Sequence, residues 1–141
     1  MPTMIADDVY IDIPAWVTDL ASFRRWTAEP DFPETGSIWW LRGGVWADMS
    51  REQIYSHVDV KGEIYSVLKG IVKELDLGRI FTDGLRLTHE NVGISGNPDA
   101  TFISHESMTE GRVIIVAGKN EGWTEAQGAP DMVLEYDWRS G

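Results

Sequence analysis

Apolar residues along this chain fall first at strand-like spacing, then at helical spacing, then at strand-like spacing again. Val9 to Ile13 alternates apolar with polar, the pattern of a short strand. The stretch Asp19 to Trp26 predicts a short helix, ended by Pro30 and Pro33. Ser37 to Leu41 and Val45 to Met49 are strand-like runs. Gly43-Gly44 between them predicts a hairpin, because glycine accepts the positive φ that two-residue hairpin turns require. Ser50 stands three residues ahead of Gln53, which suits a capping box. Ile54, Val58, Ile64, Leu68, Ile71, Val72 and Leu75 come next at helical spacing. They predict one long helix from about Arg51 to about Asp76, with Gly78 as its stop.

Beyond Gly78 the period returns to two. Arg79 to Thr82 and Leu85 to Thr88 read as strands around Asp83-Gly84, a second hairpin signal. Ala100 to Ile103 is a short apolar strand directly after Asn97-Pro98-Asp99, and Val113 to Ala117 is a β-branched run. Met132 to Leu134 comes after Ala129-Pro130-Asp131 and ends at Glu135. One long helix succeeded by several strands predicts an α/β domain of the α+β kind. The helix is expected to pack on a mixed sheet holding the strands near residues 79, 86, 101 and 133. A chain of 141 residues suits one domain of the usual ~100–200. Residues 1–36 read as a preface with its short helix, and 37–141 as the domain proper.

Composition narrows the function. No apolar run approaches the ~18 residues of a membrane span, so no membrane association is expected. Met1 to Tyr10 carries Asp7 and Asp8 and no basic cluster, unlike a signal peptide. The absence of cysteine excludes disulfides and thiolate metal sites and fits a cytoplasmic protein. With 12 basic and 23 acidic residues, the net charge is −11. Unspecific nucleic-acid binders are usually basic, so the bulk charge speaks against DNA. Metal-dependent nucleases, however, concentrate carboxylates at the active site, and a local basic face fits within a negative total. There is no Walker loop, no Gly-x-Ser-x-Gly elbow and no dinucleotide-binding glycine pattern, so no small-molecule cofactor is expected.

Two carboxylates stand out by position. Asp99 starts a strand and Glu135 ends one. Neighbouring strand ends can place two acidic side chains on one Mg²⁺, which takes one or two carboxylates plus waters and substrate phosphate. Such a metal activates water and steadies charge on a phosphodiester. The plainer alternative is two ordinary strand-end acids, and spacing alone favours it. Asp131 sits in a Pro-Asp turn like that of Asp99, with a structural role as turn former. His57, on the long helix near Val58 and Lys61, is placed to contact a substrate or a metal-bound water, although a lone helical histidine is more often a boundary residue. His89 and His105 fall in loops without zinc-site spacing. Trp39, Trp40 and Trp46 form either an aromatic platform for bases or, more commonly, a cross-strand core.

Taken in order, these pieces resemble one family. Gly78-Arg79-Ile80-Phe81 comes after the hairpin, Met49-Ser50 and the long helix. Asn97-Pro98-Asp99-Ala100-Thr101-Phe102-Ile103 and Gly128-Ala129-Pro130-Asp131-Met132-Val133-Leu134-Glu135 come next. The sequence from about Ser37 to Glu135 resembles the Uma-type restriction endonucleases, a branch of the PD-(D/E)XK nucleases. The resemblance implies a restriction-endonuclease-like mixed sheet and Mg²⁺- or Mn²⁺-dependent cleavage of DNA. It implies Asp99 and Glu135 as metal-binding catalytic carboxylates and places His57 where many relatives carry a histidine. The family's lysine stands two residues after the glutamate or on a later helix. Here the first position is Asp137, and the sequence after Glu135 departs from the family pattern. From this an endonuclease fold lacking its C-terminal part is expected, inactive as it stands. An exposed strand edge would then favour self-association into a homo-oligomer. The alternatives are a catalytically dead module that binds DNA or another partner, and a structural fragment.

Overall fold

The computed structural model describes residues 3–6, 11–33, 36–48, 59–82, 85–117 and 123–135. In chain order they form β1 (Thr3–Ala6), α1 (Leu20–Thr27), β2 (Ser37–Leu41), β3 (Gly44–Asp48), α2 (Asp59–Glu74), β4 (Gly78–Thr82) and β5 (Arg86–His89). Then come β6 (Ile94–Gly96), β7 (Ala100–Ser104), α3 (His105–Thr109), β8 (Val113–Ala117), β9 (Trp123–Gly128) and β10 (Met132–Leu134). The fold is of the mixed α and β class that the spacing predicts. It divides into two compact units, Met1–Arg51 with Thr88–Asn97, and Glu52–Leu87 with Pro98–Gly141. The β2–β3 hairpin thus belongs with the N-terminal residues, so the expected boundary at residue 36 does not separate them. The reason is burial: Ile38, Trp40, Val45 and Ala47 share a core with Val17, Phe23 and Trp26.

In the first unit α1 starts at Asp19. Its side chain accepts the Ser22 backbone N–H at 2.8 Å, and the Ser22 hydroxyl accepts the Asp19 N–H at 2.9 Å, a reciprocal cap. Ile11 and Ile13 pack half-buried against this core from irregular backbone. The alternation there reflects packing of a coil and not the strand that it suggests; Val9 and Tyr10 lie outside the described residues. β1 runs parallel to β3, and β2 runs antiparallel to both β3 and β6. The hairpin turn lies one residue earlier than expected, at Arg42 and Gly43, with φ of 52° and 76°. That register pairs Trp40 with Val45. A turn at Gly43-Gly44 would set Arg42 opposite Val45 on the buried face, so burial outweighs the strain at Arg42.

In the second unit β7 lies between β4 and β10, antiparallel to both. Leu85, Leu87, Ile103, Val113 and Ala126 form an aliphatic core, with Phe81 packed half-buried against it. β8 and β9 form an antiparallel pair with an irregularity at Val116/Ala117. Among the described residues β4 and β5 do not pair, in place of the expected hairpin. All five residues of β4 pair with β7, from Gly78↔Ser104 to Thr82↔Ala100. Leu85 and Leu87 instead turn into the core, so the strand at residue 86 is not in the sheet with those at 79, 101 and 133. Asp83-Gly84 lies outside the described residues, as do the expected helix start near Arg51 and the Ser50/Gln53 cap. α2 turns Lys61, Tyr65, Leu68 and Val72 inward at spacings of four and three, while Val60, Ile64, Val67 and Ile71 remain exposed. No helix among the described residues is long and apolar enough to cross a membrane.

Candidate active site at one end of the three-stranded sheet

Antiparallel pairing alone brings Asp99 and Glu135 together. Leu134, the last residue of β10, pairs with Ala100, the first of β7. The residue just before β7 and the residue just after β10 therefore meet at the same end of the sheet. Glu135 accepts the backbone N–H of Asp99, and the two side chains share a hydrogen bond. Burial pushes the Glu135 carboxyl up to about 7, and the negative charge of Asp99 adds to the rise. The Asp99 N–H and the Lys61 charge pull the other way. The residue as a whole keeps solvent-exposed surface. Its carboxyl group is the partly buried portion, and that burial is the largest cause of the shift.

The positive charge beside the pair comes from α2. Lys61 Nζ lies 3.2 Å from Asp99 Oδ1, with side chains 13% and 17% exposed. The position two residues after Glu135 carries Asp137, and the sequence directs attention there or further on. The signal for Lys61 was present in a different place. Among the described residues of α2 it is the one cation on the inward face, at a point where the period calls for an apolar residue.

Other candidates have different places. His57 lies outside the described residues. His105 opens α3 rather than a loop, and its Nε2 is 2.9 Å from Asp76 Oδ1 at the surface. His89 closes β5. Asp131 has a structural role, but as a long-range tie and not as the turn former expected. Its carboxylate accepts the Ser104 N–H at 2.6 Å and the hydroxyls of Ser104 and Ser107 at 3.1 and 3.0 Å. These bonds hold its pKa below the ordinary 3.8, the Ser104 N–H contributing most. Trp40 is core, while Trp39 and Trp46 pair across the other face of the hairpin. Their indole N–H groups donate to Ser37 Oγ and to the Leu41 carbonyl.

The donor set fits a hard divalent cation. Two carboxylates within hydrogen-bonding reach offer oxygen ligands only, which magnesium and manganese accept. No group of three or more His, Cys, Asp or Glu side chains suited to a metal exists among the described residues. Water and substrate phosphate would therefore complete the coordination, as is usual for magnesium. Searched against family models, curated proteins and solved structures, the chain finds no match.

Proposed function

We propose that the second unit is a divalent-metal-dependent nuclease centre of the Uma type, which hydrolyses DNA phosphodiester bonds with Asp99 and Glu135 as its metal carboxylates. The observation that carries this reading is the meeting of Asp99 and Glu135 at one sheet end, in hydrogen-bond contact. When bound, magnesium or manganese supplies Lewis acidity toward a phosphoryl oxygen and lowers the pKa of a water. The chain's own residues do the positioning. β7 and β10 fix the two carboxyls by backbone pairing, and the Asp99 N–H orients Glu135. A location in the cytoplasm, with access to DNA and magnesium, accords with a sequence free of cysteine.

A second reading has an observation of its own. Lys61 already neutralises Asp99 at 3.2 Å, as it would in a purely structural lock joining α2 to the sheet. Mn²⁺ titration and a plasmid-nicking assay in Mg²⁺ and Mn²⁺ separate the two. With Lys61 beside the carboxyl pair, the nuclease reading replaces the inactivity expected from the sequence with Mn²⁺ binding and nicking, both lost in Asp99→Ala and Glu135→Ala. No Mn²⁺ binding, together with a large fall in Tm for Asp99→Ala, would overturn it in favour of the lock.

A further inference from the structure

We infer that Lys61 is the site's phosphate-facing cation, delivered by α2 from a part of the chain that precedes both carboxylates. The inference rests on the nuclease reading and deepens it. Its first support is geometric: the ammonium stands 3.2 Å from Asp99, which is itself in contact with Glu135. The second support is energetic. Lys61 occupies the inward face of α2 with Leu68 and Val72, and only 13% of its side chain is exposed. Sheltering an ammonium from water is costly, and an ion pair commonly returns no more than the desolvation took. An apolar side chain would serve the packing as well or better. A costly charge placed beside a pair of carboxyl groups marks a group held for the chemistry.

In hydrolysis, the water oxygen bonds to phosphorus and the bond from phosphorus to the leaving sugar oxygen breaks. One water proton ends on that leaving oxygen and the other stays with the new phosphate. Negative charge spreads over the phosphoryl oxygens on the way. A fixed ammonium beside the carboxylates opposes that charge while keeping its own protons.

The test is a split between stability and turnover, made on the full chain with Lys61→Met, Lys61→Ala and Lys61→Arg. Plasmid nicking in Mg²⁺ should fall ~10²–10³-fold in Lys61→Met, the usual loss for one preorganised charge stabiliser. Tm should stay the same or rise, and Mn²⁺ affinity should stay the same or tighten. Lys61→Arg should retain part of the activity, and ethylamine in solution should restore part of it to Lys61→Ala. Wild-type nicking and Mn²⁺ binding with Lys61→Met equally active would overturn the role of Lys61 and leave the nuclease reading standing. A Lys61→Met chain that melts earlier, with its turnover loss tracking the unfolded fraction, would also overturn it. Absence of nicking and of Mn²⁺ binding in the wild type would overturn both.

Discussion

The two units bury their apolar surface in different ways. The first closes around rings: Phe23 meets Trp26 edge-on at 6.1 Å, Trp26 meets Phe32 at 4.8 Å, and Phe23 leans on Trp40 at 5.9 Å. Phe23 and Trp26 are sealed from solvent, and aromatic pairs add geometric specificity to the area they bury. The second has an aliphatic core of smaller side chains and leaves Val60, Ile64, Val67, Ile71, Ile114 and Val133 exposed. It also holds a carboxyl pair and a sheltered lysine, groups that cost stability. The contrast teaches that aromatic packing and candidate chemistry are segregated in this chain. The aromatic core holds the hairpin, and the aliphatic unit carries the polar cluster.

The largest effect should come from breaking the aromatic core. Trp26→Ala removes a fully buried ring that touches both Phe23 and Phe32, and should cost about 3–5 kcal/mol in urea melts. A loss under about 1 kcal/mol would erase the contrast between the units. Next is Gly128→Ala in the second unit. Gly128 has φ of 126°, and a side-chain carbon there would strike the Arg112 carbonyl oxygen. The strained backbone should cost about 1–3 kcal/mol, measured in the same way, and an unchanged melt would show that β8 and β9 can shift to accommodate it.

Asp131→Asn should cost roughly 1 kcal/mol near neutral pH, since its hydrogen bonds lie at the surface and are discounted by solvent. Its pH signature is more telling. The folded-state pKa is depressed below 3.8. The stabilisation is therefore present above about that value and is lost as pH falls through the lower folded value. Wild-type stability should decline over this acid window, and the Asp131→Asn curve should decline less. Parallel curves would remove Asp131 from the account of how β10 is tied to α3. The smallest effect is Val67→Lys, at a residue 59% exposed on α2. It should move stability by no more than about 0.5 kcal/mol, and a loss of about 2 kcal/mol in a chemical melt would mean that this face of α2 is covered in solution.

The local elements were legible in the sequence because their causes are local. Asp19 to Trp26, the runs on either side of Gly43, the apolar period of α2 and the β-branched run at Val113 all became elements close to where the pattern put them. β1, β6 and β9 left no usable signal. β6 is only three residues long, and β9, Trp-Thr-Glu-Ala-Gln-Gly, is too polar to read as a strand. Asp99 and Glu135 were legible as strand ends, and the Pro-Asp turns before β7 and β10 marked where those strands start.

Tertiary structure alone decided who pairs with whom. Periodicity states which face of a strand is buried and is silent about its neighbour, so Asp83-Gly84 suggested a hairpin where β4 in fact joins β7. The Leu134↔Ala100 register turned two separate acids into a pair, and no local pattern contains that register. Lys61 reached Asp99 because α2 turns its inward face to the unit's interior. A charge on that face is visible in the sequence, but its partner lies elsewhere in the chain and is set by how the helix packs. Local spacing arises from the geometry of one segment, whereas the convergence of Lys61, Asp99 and Glu135 arises from burying several segments at once.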